Sequence, residues 1–219
     1  MLLKGLGVTL QVTFFALLIG ITIGVMVSII RSTYDKNSGT MVSGIGKTML
    51  SIANAICKFY LTVIRGTPVV VQLLIGYFII FASSRNAVMV ASLVFGINSG
   101  AYVTEIFRGG IMSIDNGQFE AGRSLGFNYA QTMTHIIVPQ AFKNVLPTLA
   151  NEFIVLLKET AVCGYVGLAD LTKVGEQIRG RTYSAFMPLI AVALIYLVMV
   201  MILSWLVGKL ERRLRNNER

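Results

Sequence analysis

The stretch "TYSAFMPLIAVALIYLVMVMILSWLVG" (residues 182–208) contains 27 consecutive residues without a charged side chain. A helix of about 20 apolar residues is long enough to cross the hydrocarbon core of a bilayer. The whole chain is 55% hydrophobic and only 13% charged, whereas about a quarter of the residues of a soluble protein are charged. The stretch therefore predicts a membrane-spanning helix.

Other parts of the chain extend this prediction. Three more stretches lack charged side chains over a spanning length, and a further apolar region is interrupted by Glu152, Lys158 and Glu159. We therefore predict an all-α membrane protein with five transmembrane helices in a single domain covering residues 1–219. The spans are expected at about 5–31, 66–84, 86–107, 146–168 and 182–208.

The distribution of basic residues predicts how these spans are oriented. With the N-terminus outside, 13 Lys and Arg residues fall on one side of the bilayer and five on the other. Because Lys and Arg are enriched in cytoplasmic loops, the N-terminus is expected outside and the C-terminus in the cytoplasm. Residues 113–146, between the third and fourth spans, then form a cytoplasmic loop. This topology accounts for the net charge of +9, so no nucleic-acid partner is expected.

The loop is polar, but its pattern is helical. Asp115 and Gln118 have the spacing of a helix-capping pair, and Gly126 can end the helix that follows. A short helix in water is marginally stable by itself. The loop is therefore expected to hold a helix that binds a partner.

The same loop carries a recognisable motif. Glu120-Ala121-Gly122, then Gly126 four residues later, then Ile136 and Pro139 resemble the signature E-A-A, three residues, Gly, about nine residues, I-x-L-P. That signature is typical of permease subunits of bacterial ABC importers, here those for polar amino acids. Two positions depart from it, since Gly122 replaces the second Ala and Val138 replaces the usual Leu. Three other stretches resemble the same subfamily, so that the resemblance covers nearly the whole chain: "VIRGTPVVVQLL" (63–74), "AYVTEIFRGGIMSIDNGQFEAGRSLGF" (101–127) and "NEFIVLLKETAV" (151–162).

This resemblance implies the permease fold of type I ABC importers in the bacterial inner membrane. It also implies a coupling helix in the loop that docks on a separate cytoplasmic ATP-binding subunit, and delivery of an amino acid by an external solute-binding protein. ATP and Mg²⁺ would be bound by the partner, with no cofactor on this chain. The coupling residues implied by the match are Glu120, Ala121, Gly122, Arg123, Gly126 and Pro139.

The physical properties of these residues suit such a contact. Glu120 is expected near the helix start, where it can accept hydrogen bonds from the partner, and Arg123 can make a charged contact. Ala121, Gly122 and Gly126 have almost no side-chain bulk, which permits close backbone approach. The alternative is that the small residues pack against the protein's own helices.

The chain itself is not expected to bind ATP. "GIGKT" (residues 44–48) ends like a phosphate-binding loop but lacks its first glycine, and no buried strand precedes it. The segment instead predicts a short interfacial helix, with an apolar face formed by Met49, Ile52, Ala53, Ile56 and Tyr60.

Polar residues inside the spans predict a transport pathway, because an ionisable group in a bilayer normally faces a cavity or a partner. Asn98, Tyr102 and Glu105 share one face of the third span, and Glu152 and Glu159 share one face of the fourth. We expect these five residues to line a polar passage for a cationic amino acid such as arginine, lysine or histidine. The alternative is structural ion pairing at the helix ends, of Glu105 with Arg108 and of Glu152 and Glu159 with Lys158 or neighbouring loops.

Five helices leave one side of such a passage open to lipid, so a second permease subunit is expected, identical or paralogous. No catalytic residue and no metal site is expected, since His135 is the only histidine and Cys57 and Cys163 are far apart in sequence. Two other classes remain open: a secondary transporter or channel driven by an ion gradient, and a structural membrane anchor.

Overall fold

The computed structural model describes residues 1–37 and 44–216, and within this part of the chain every regular element is a helix. The described residues form nine α-helices, with π-helical turns at 76–80 and 133–137 and a 3₁₀ helix at 160–166. Their bounds are α1 Leu2–Asn37, α2 Ile45–Gly66, α3 Val69–Ile75, α4 Ala87–Met112, α5 Asn116–Ser124, α6 Tyr129–Thr132, α7 Val138–Glu159, α8 Leu171–Thr182 and α9 Phe186–Asn216.

In the described residues, three helices are long and apolar enough to cross a membrane, namely α1, α4 and α9. They correspond to the predicted spans 5–31, 86–107 and 182–208, each starting or ending several residues beyond the uncharged stretch. The bent pair of α2 and α3 adds a fourth if it is one span. The count of five therefore stays a prediction.

The predicted span at 66–84 does not form one continuous helix in the structure. Helix α3 has seven residues and continues for only five more as a π-helical turn, and it is joined to α2 at an angle of 106°. The bend lies at Thr67, whose backbone is extended (φ −119°, ψ 143°), because the ring of Pro68 disfavours a helical residue before it. Lys58 and Arg65 interrupt the apolar sequence of α2, so no uncharged stretch indicates its length.

The segment predicted as a short interfacial helix is helical, but it forms the 22-residue α2, and its position at the membrane interface stays a prediction. Its buried residues are Asn54, Cys57 and Leu61. Most of the apolar face predicted from sequence, including Met49 and Ile52, is exposed on the outside of the bundle.

The fourth predicted span, 146–168, is not among the helices that qualify by apolarity. Helix α7 begins earlier, at Val138, and ends at Glu159, after which the chain tightens into the 3₁₀ helix. Leu156 and Leu157 are fully buried. Helix α7 therefore combines charged residues with an apolar side that packs inside the protein.

Helices α1 and α4 form the centre of the bundle and run in the same direction. Glycines let their backbones approach closely: a Cβ added at Gly24 would collide with Val103, and one at Gly96 would lie 2.6 Å from Ile19 Cβ. A Cβ added at Gly20 would lie 3.1 Å from Cβ of Ser99. Later residues of α1 therefore contact later residues of α4, which shows that the two helices are parallel. Small residues at such seams allow tight van der Waals packing.

Helix α7 packs against this pair in the opposite direction. Its first half meets the end of α4 at Gly110 and Val145. Thr160, the residue that follows α7, lies against α1, where the hydroxyls of Thr13 and Thr160 are 3.3 Å apart. Phe95 and Leu156 lie in the apolar core between them.

The two ends of α1 form hydrogen bonds with different helices. Near its start, Thr9 Oγ1 accepts a hydrogen bond of 3.1 Å from the backbone N–H of Leu171, the first residue of α8. At its other end, Lys36 donates to Asn116, the first residue of α5. Since α1 has 36 residues, about 54 Å at the α-helical rise, α5 and α8 lie at opposite ends of the molecule.

Candidate functional site

The central helix of the predicted loop, α5, has well-defined ends. Asp115 caps its start, where Oδ1 accepts a hydrogen bond of 2.6 Å from the N–H of Gly117. Gly126 ends it in the left-handed region with φ +79°, and the N–H of Phe127 then donates to the carbonyl of Gly122, a closure typical of glycine-terminated helices. The predicted cap and stop are both confirmed. Glu120, however, is the fifth residue of α5 and not near its start.

The rest of the loop is also helical. Asn128 begins α6 with a full capping box that involves Gln131, whereas the side chain of Gln118, the predicted capping partner of Asp115, accepts a hydrogen bond from Gln140. Pro139 lies in the first turn of α7, where its missing N–H costs nothing. Residues 138–146 therefore belong to α7, and the loop is shorter than the predicted 113–146.

The small residues of the motif do not all face outward. Gly122 is buried, and a Cβ added there would lie 2.6 Å from Cγ2 of Thr132 on α6. Ala121 is exposed. Gly122 therefore serves the packing of α5 on α6, as the alternative interpretation held, while Ala121 is free to meet a partner.

The outward surface of α5 and its end carries Glu120, Ala121, Arg123 and Leu125, all of them exposed. Leu125 is 70% exposed. An exposed leucine beside one acidic and one basic side chain is suited to a protein partner, since charge pairs give specificity and the apolar contact gives affinity. We call this set the α5 surface.

Helix α5 is fixed to the transmembrane helices by a few contacts. Lys36 Nζ donates to Asn116 Oδ1 at 3.1 Å and lies 4.2 Å from the centre of the Phe119 ring. Phe119 itself packs in a small apolar cluster with Ile111 and Ile137. A force on the α5 surface would therefore reach the end of α1 through Lys36 and the end of α4 through Phe119.

A pocket of about 300 Å³ opens beside these contacts, with Lys36, Arg123, Tyr129 and Thr132 in its lining. Burial raises the pKa of the Tyr129 phenol, so its hydroxyl stays protonated near neutral pH. Within the described residues, the buried hydroxyl of Thr132 has no hydrogen-bond partner.

The fit between Gly122 and Thr132 leads to a prediction. Gly122→Ala, although it restores the residue of the motif, is expected to destabilise the packing of α5 on α6 by about 1–3 kcal/mol, because overpacking forces neighbours to move. Thr132→Ala makes room and removes a hydroxyl without a partner in the described structure. The double variant should therefore recover most of the loss. Limited proteolysis of the purified protein at α5 measures this, and equal cleavage of Gly122→Ala and wild type would contradict it.

The predicted substrate residues on α4 meet different neighbours. Asn98 is 2% exposed, and its Nδ2 donates to Gln72 Oε1 on α3 at 3.0 Å. Tyr102 is exposed, with the guanidinium of Arg65 centred 5.8 Å from its ring. The polar face predicted from their spacing therefore points towards α2 and α3.

Glu105 lies in a chain of ion pairs. Its two carboxylate oxygens are 3.7 Å from Arg65 on α2 and 3.3 Å from Arg108 on α4, and Arg108 is also 3.4 Å from Asp35 on α1. The pairing of Glu105 with Arg108 that the alternative interpretation expected is present. The chain joins three helices at one level of the bundle.

The carboxylates of α7 lie elsewhere. Glu152 is buried, and its Oε1 accepts a hydrogen bond of 3.0 Å from Ser99. Ser99 is the neighbour of Asn98 and so points about 100° away around α4. Within a single subunit, Asn98 and Glu152 therefore lie on different sides of α4. Glu159 is half-buried in the last turn of α7, and the role of all five residues towards a substrate stays a prediction.

Sequence reasoning missed three residues that hold these groups: Arg65, Gln72 and Ser99. Arg65 and Gln72 both lie in the quoted stretch 63–74, where a cation and an amide interrupt an apolar run. That isolation was a signal, because polar side chains in such surroundings need partners. The sequence gives no such signal for Ser99, because a serine hydroxyl can donate a hydrogen bond to a backbone carbonyl of its own helix.

Comparison with known proteins gives consistent results. Residues 39–216 match the family described as binding-protein-dependent transport system inner membrane component. The chain is 37% identical to the arginine transport system permease protein ArtQ of Bacillus subtilis, with 99% of this chain and 94% of the relative covered. It is 34% identical to the glutamine transport system permease protein GlnP of Escherichia coli K12, with coverage of 98% and 93%.

Solved structures agree with these relatives. A crystal structure of an amino acid ABC transporter with histidines contains a chain 41% identical to this one, with a TM-score of 0.84 over 97% of this chain and 93% of that one. An inward-facing structure of the MetNI methionine ABC transporter has a TM-score of 0.80 at 18% identity, covering 98% and 96% of the two chains. The second likeness concerns the fold alone.

Proposed function

The chain belongs to the family of binding-protein-dependent transport system inner membrane components, and we propose that it forms, with a second permease subunit, the pathway of an ATP-driven importer for a polar, basic amino acid. It is a non-catalytic permease subunit of an amino-acid ABC importer in the inner membrane. The observation that carries the finer proposal is the α5 surface, a helix fixed to the ends of α1 and α4 whose exposed residues have no place in an ion-driven transporter.

The α5 surface is cytoplasmic in this proposal, and the N-terminus of α1 lies outside. The excess of basic residues on the α5 side supports this orientation. An ATP-binding subunit, which carries ATP and Mg²⁺, docks on the α5 surface. When ATP closes that partner, α5 moves, and Lys36 and Phe119 pass the displacement to α1 and α4.

A second permease subunit completes the pathway. In this chain Tyr102 is exposed and Glu105 half-buried on the side of α4 near α2, and such groups are costly against lipid. A partner that covers them would enclose a polar passage. We propose an identical copy, and a paralogue would do the same.

The substrate proposal rests on the carboxylates Glu105, Glu152 and Glu159 and on relatives named for arginine and glutamine transport. A carboxylate stabilises the guanidinium or ammonium of a basic side chain through charge-assisted hydrogen bonds. We therefore rank arginine, lysine and histidine above glutamine. Glu105 is already paired with two arginines, so Glu159 is the carboxylate best placed to discriminate.

The test of this function is uptake into proteoliposomes that hold the permease, its ATPase and its solute-binding protein. Radiolabelled arginine, histidine and glutamine are offered with ATP inside or outside the vesicles. We expect uptake that needs ATP on the ATPase side and the binding protein on the other. Uptake that follows an imposed ion gradient without ATP would replace this proposal with a secondary transporter.

Glu159→Gln is expected to raise the apparent KM for arginine about 10-fold or more and to leave that for glutamine unchanged, because a hydrogen bond to a charged group contributes about 1.5–3 kcal/mol. Glu211→Gln in the exposed end of α9 is the matched control and should change neither value. Unaltered arginine affinity in Glu159→Gln would rule out Glu159 as a substrate residue.

A further inference from the structure

Helix α8 has no role in the function proposed so far. It has 12 residues, about 18 Å at the α-helical rise, and is too short to cross a membrane. It lies at the end of α1 opposite to α5. If α5 faces the cytoplasm, α8 faces the outside.

The inner side of α8 is held rigidly. Asp170, which is fully buried, caps the helix by accepting hydrogen bonds of 3.1 Å from the N–H groups of Thr172 and Lys173. Gly175 packs against Val192 of α9, and Thr172 lies within hydrogen-bond distance of Tyr196. Together with the bond from Leu171 to Thr9 on α1, these contacts make α8 a fixed platform.

The outer end of α8 is basic. Lys173 is paired with Glu176 at 3.1 Å, but Arg179 and Arg181 are exposed and, among the described residues, neither has an acidic partner. Two arginines next to the C-terminus of a helix complement its dipole. One basic residue in the last turn would be enough for that effect. It does not explain why both Arg179 and Arg181 lack an acidic partner among the described residues on the external side, where basic residues are normally depleted.

Tyr183 lies beside them in an unusual conformation. It caps α8 with φ +53°, in the left-handed region, and is 96% exposed. For a residue with a Cβ this conformation costs about 1–2 kcal/mol, and glycine would avoid the cost. The exposed ring follows two arginines that have no acidic partner among the described residues, although Arg181 also donates a weak hydrogen bond of 3.6 Å to Met1 Sδ. Tyr and Arg are enriched among the residues that dominate binding at protein interfaces.

We propose that Arg179, Arg181 and Tyr183 form the docking surface for an acidic patch on the external solute-binding protein. The proposal rests on the orientation in the proposed function. The charge of the surface selects an acidic partner, and its fixed attachment to α1 and α9 provides a path by which docking reaches the bundle. The competing occupant is the headgroup layer of anionic lipid.

The experiment measures direct binding of purified, amino-acid-loaded solute-binding proteins for arginine and for glutamine to the assembled transporter. The transporter is held in nanodiscs of zwitterionic lipid at about 50 mM salt, where charge attraction is weakly screened. The double variant Arg179→Glu with Arg181→Glu is expected to raise Kd at least about 10-fold, and the difference should shrink in high salt. Arg85→Glu, an exposed residue of another loop predicted on the same side, is the matched control.

Tyr183→Gly separates docking from folding. Since glycine favours φ above zero, this variant should keep or raise the melting temperature and yet bind the solute-binding protein more weakly. An unchanged Kd in the double variant, an equal loss in Arg85→Glu, or an effect that needs anionic lipid in the nanodisc would overturn the docking proposal. A different result would contradict the proposed function alone. In that result the wild-type transporter binds the solute-binding protein and the variants do not, but uptake by the wild type does not depend on ATP.

Discussion

Glu120→Ala is expected to abolish ATP-driven uptake while the permease still folds and assembles. Glu120 is exposed in the middle of α5, so its removal leaves no buried group of this chain unpaired. At an interface, loss of one partner of a hydrogen-bonded charge costs about 2–5 kcal/mol, enough to lower ATPase binding or coupling by more than about 30-fold. The measurement is ATP-dependent uptake in proteoliposomes, together with co-purification of the ATPase.

The controls for this prediction change residues on the same side of the membrane, in the proposed orientation. Glu211→Ala, in the exposed end of α9, removes a carboxylate away from α5 and should leave uptake unchanged. Glu120→Gln keeps the size and the hydrogen-bonding capacity and should retain part of the activity. Full uptake in Glu120→Ala would show that the α5 surface is not the coupling element, whatever its resemblance to the motif.

Gly24→Leu is expected to prevent stable assembly of the bundle. A Cβ at this position already collides with Val103 of α4, and a leucine side chain has no space between two helices packed at backbone contact. Overpacking typically costs about 1–3 kcal/mol and occasionally more, which corresponds to a fall of about 2–12 °C in Tm for a chain of this size. Thermal unfolding in detergent, followed by Trp205 fluorescence, measures the change.

Gly7→Leu is the matched control, because Gly7 lies in the same helix and is exposed, with no heavy atom outside its own helix backbone and chain neighbours within 4 Å of a Cβ placed there. Both substitutions remove a flexible glycine and add the same side chain, so propensity and hydrophobicity are matched. Only Gly24→Leu should lower Tm and yield. Equal Tm and yield of the two variants would mean that α1 and α4 can move apart at Gly24 without loss of stability.

The sequence alone determined the features that depend on local composition. Uncharged stretches of spanning length predicted α1, α4 and α9, because crossing a bilayer is a matter of length and apolarity. Asp115 and Gly126 predicted the ends of α5, since capping and positive φ are properties of single residues and their neighbours. The motif around Glu120 indicated the family, which the comparisons confirmed.

The tertiary structure decided what depends on the relative placement of helices. A charge count could not show that Thr67 and Pro68 turn the chain by 106°, nor that Asn98 faces Gln72 while its neighbour Ser99 faces Glu152. Whether a polar residue lines a passage or pairs within the bundle follows from the rotation and offset of neighbouring helices. Those are set by the close packing of glycine seams such as Gly24 against Val103, a long-range fit that the periodicity of one helix does not contain.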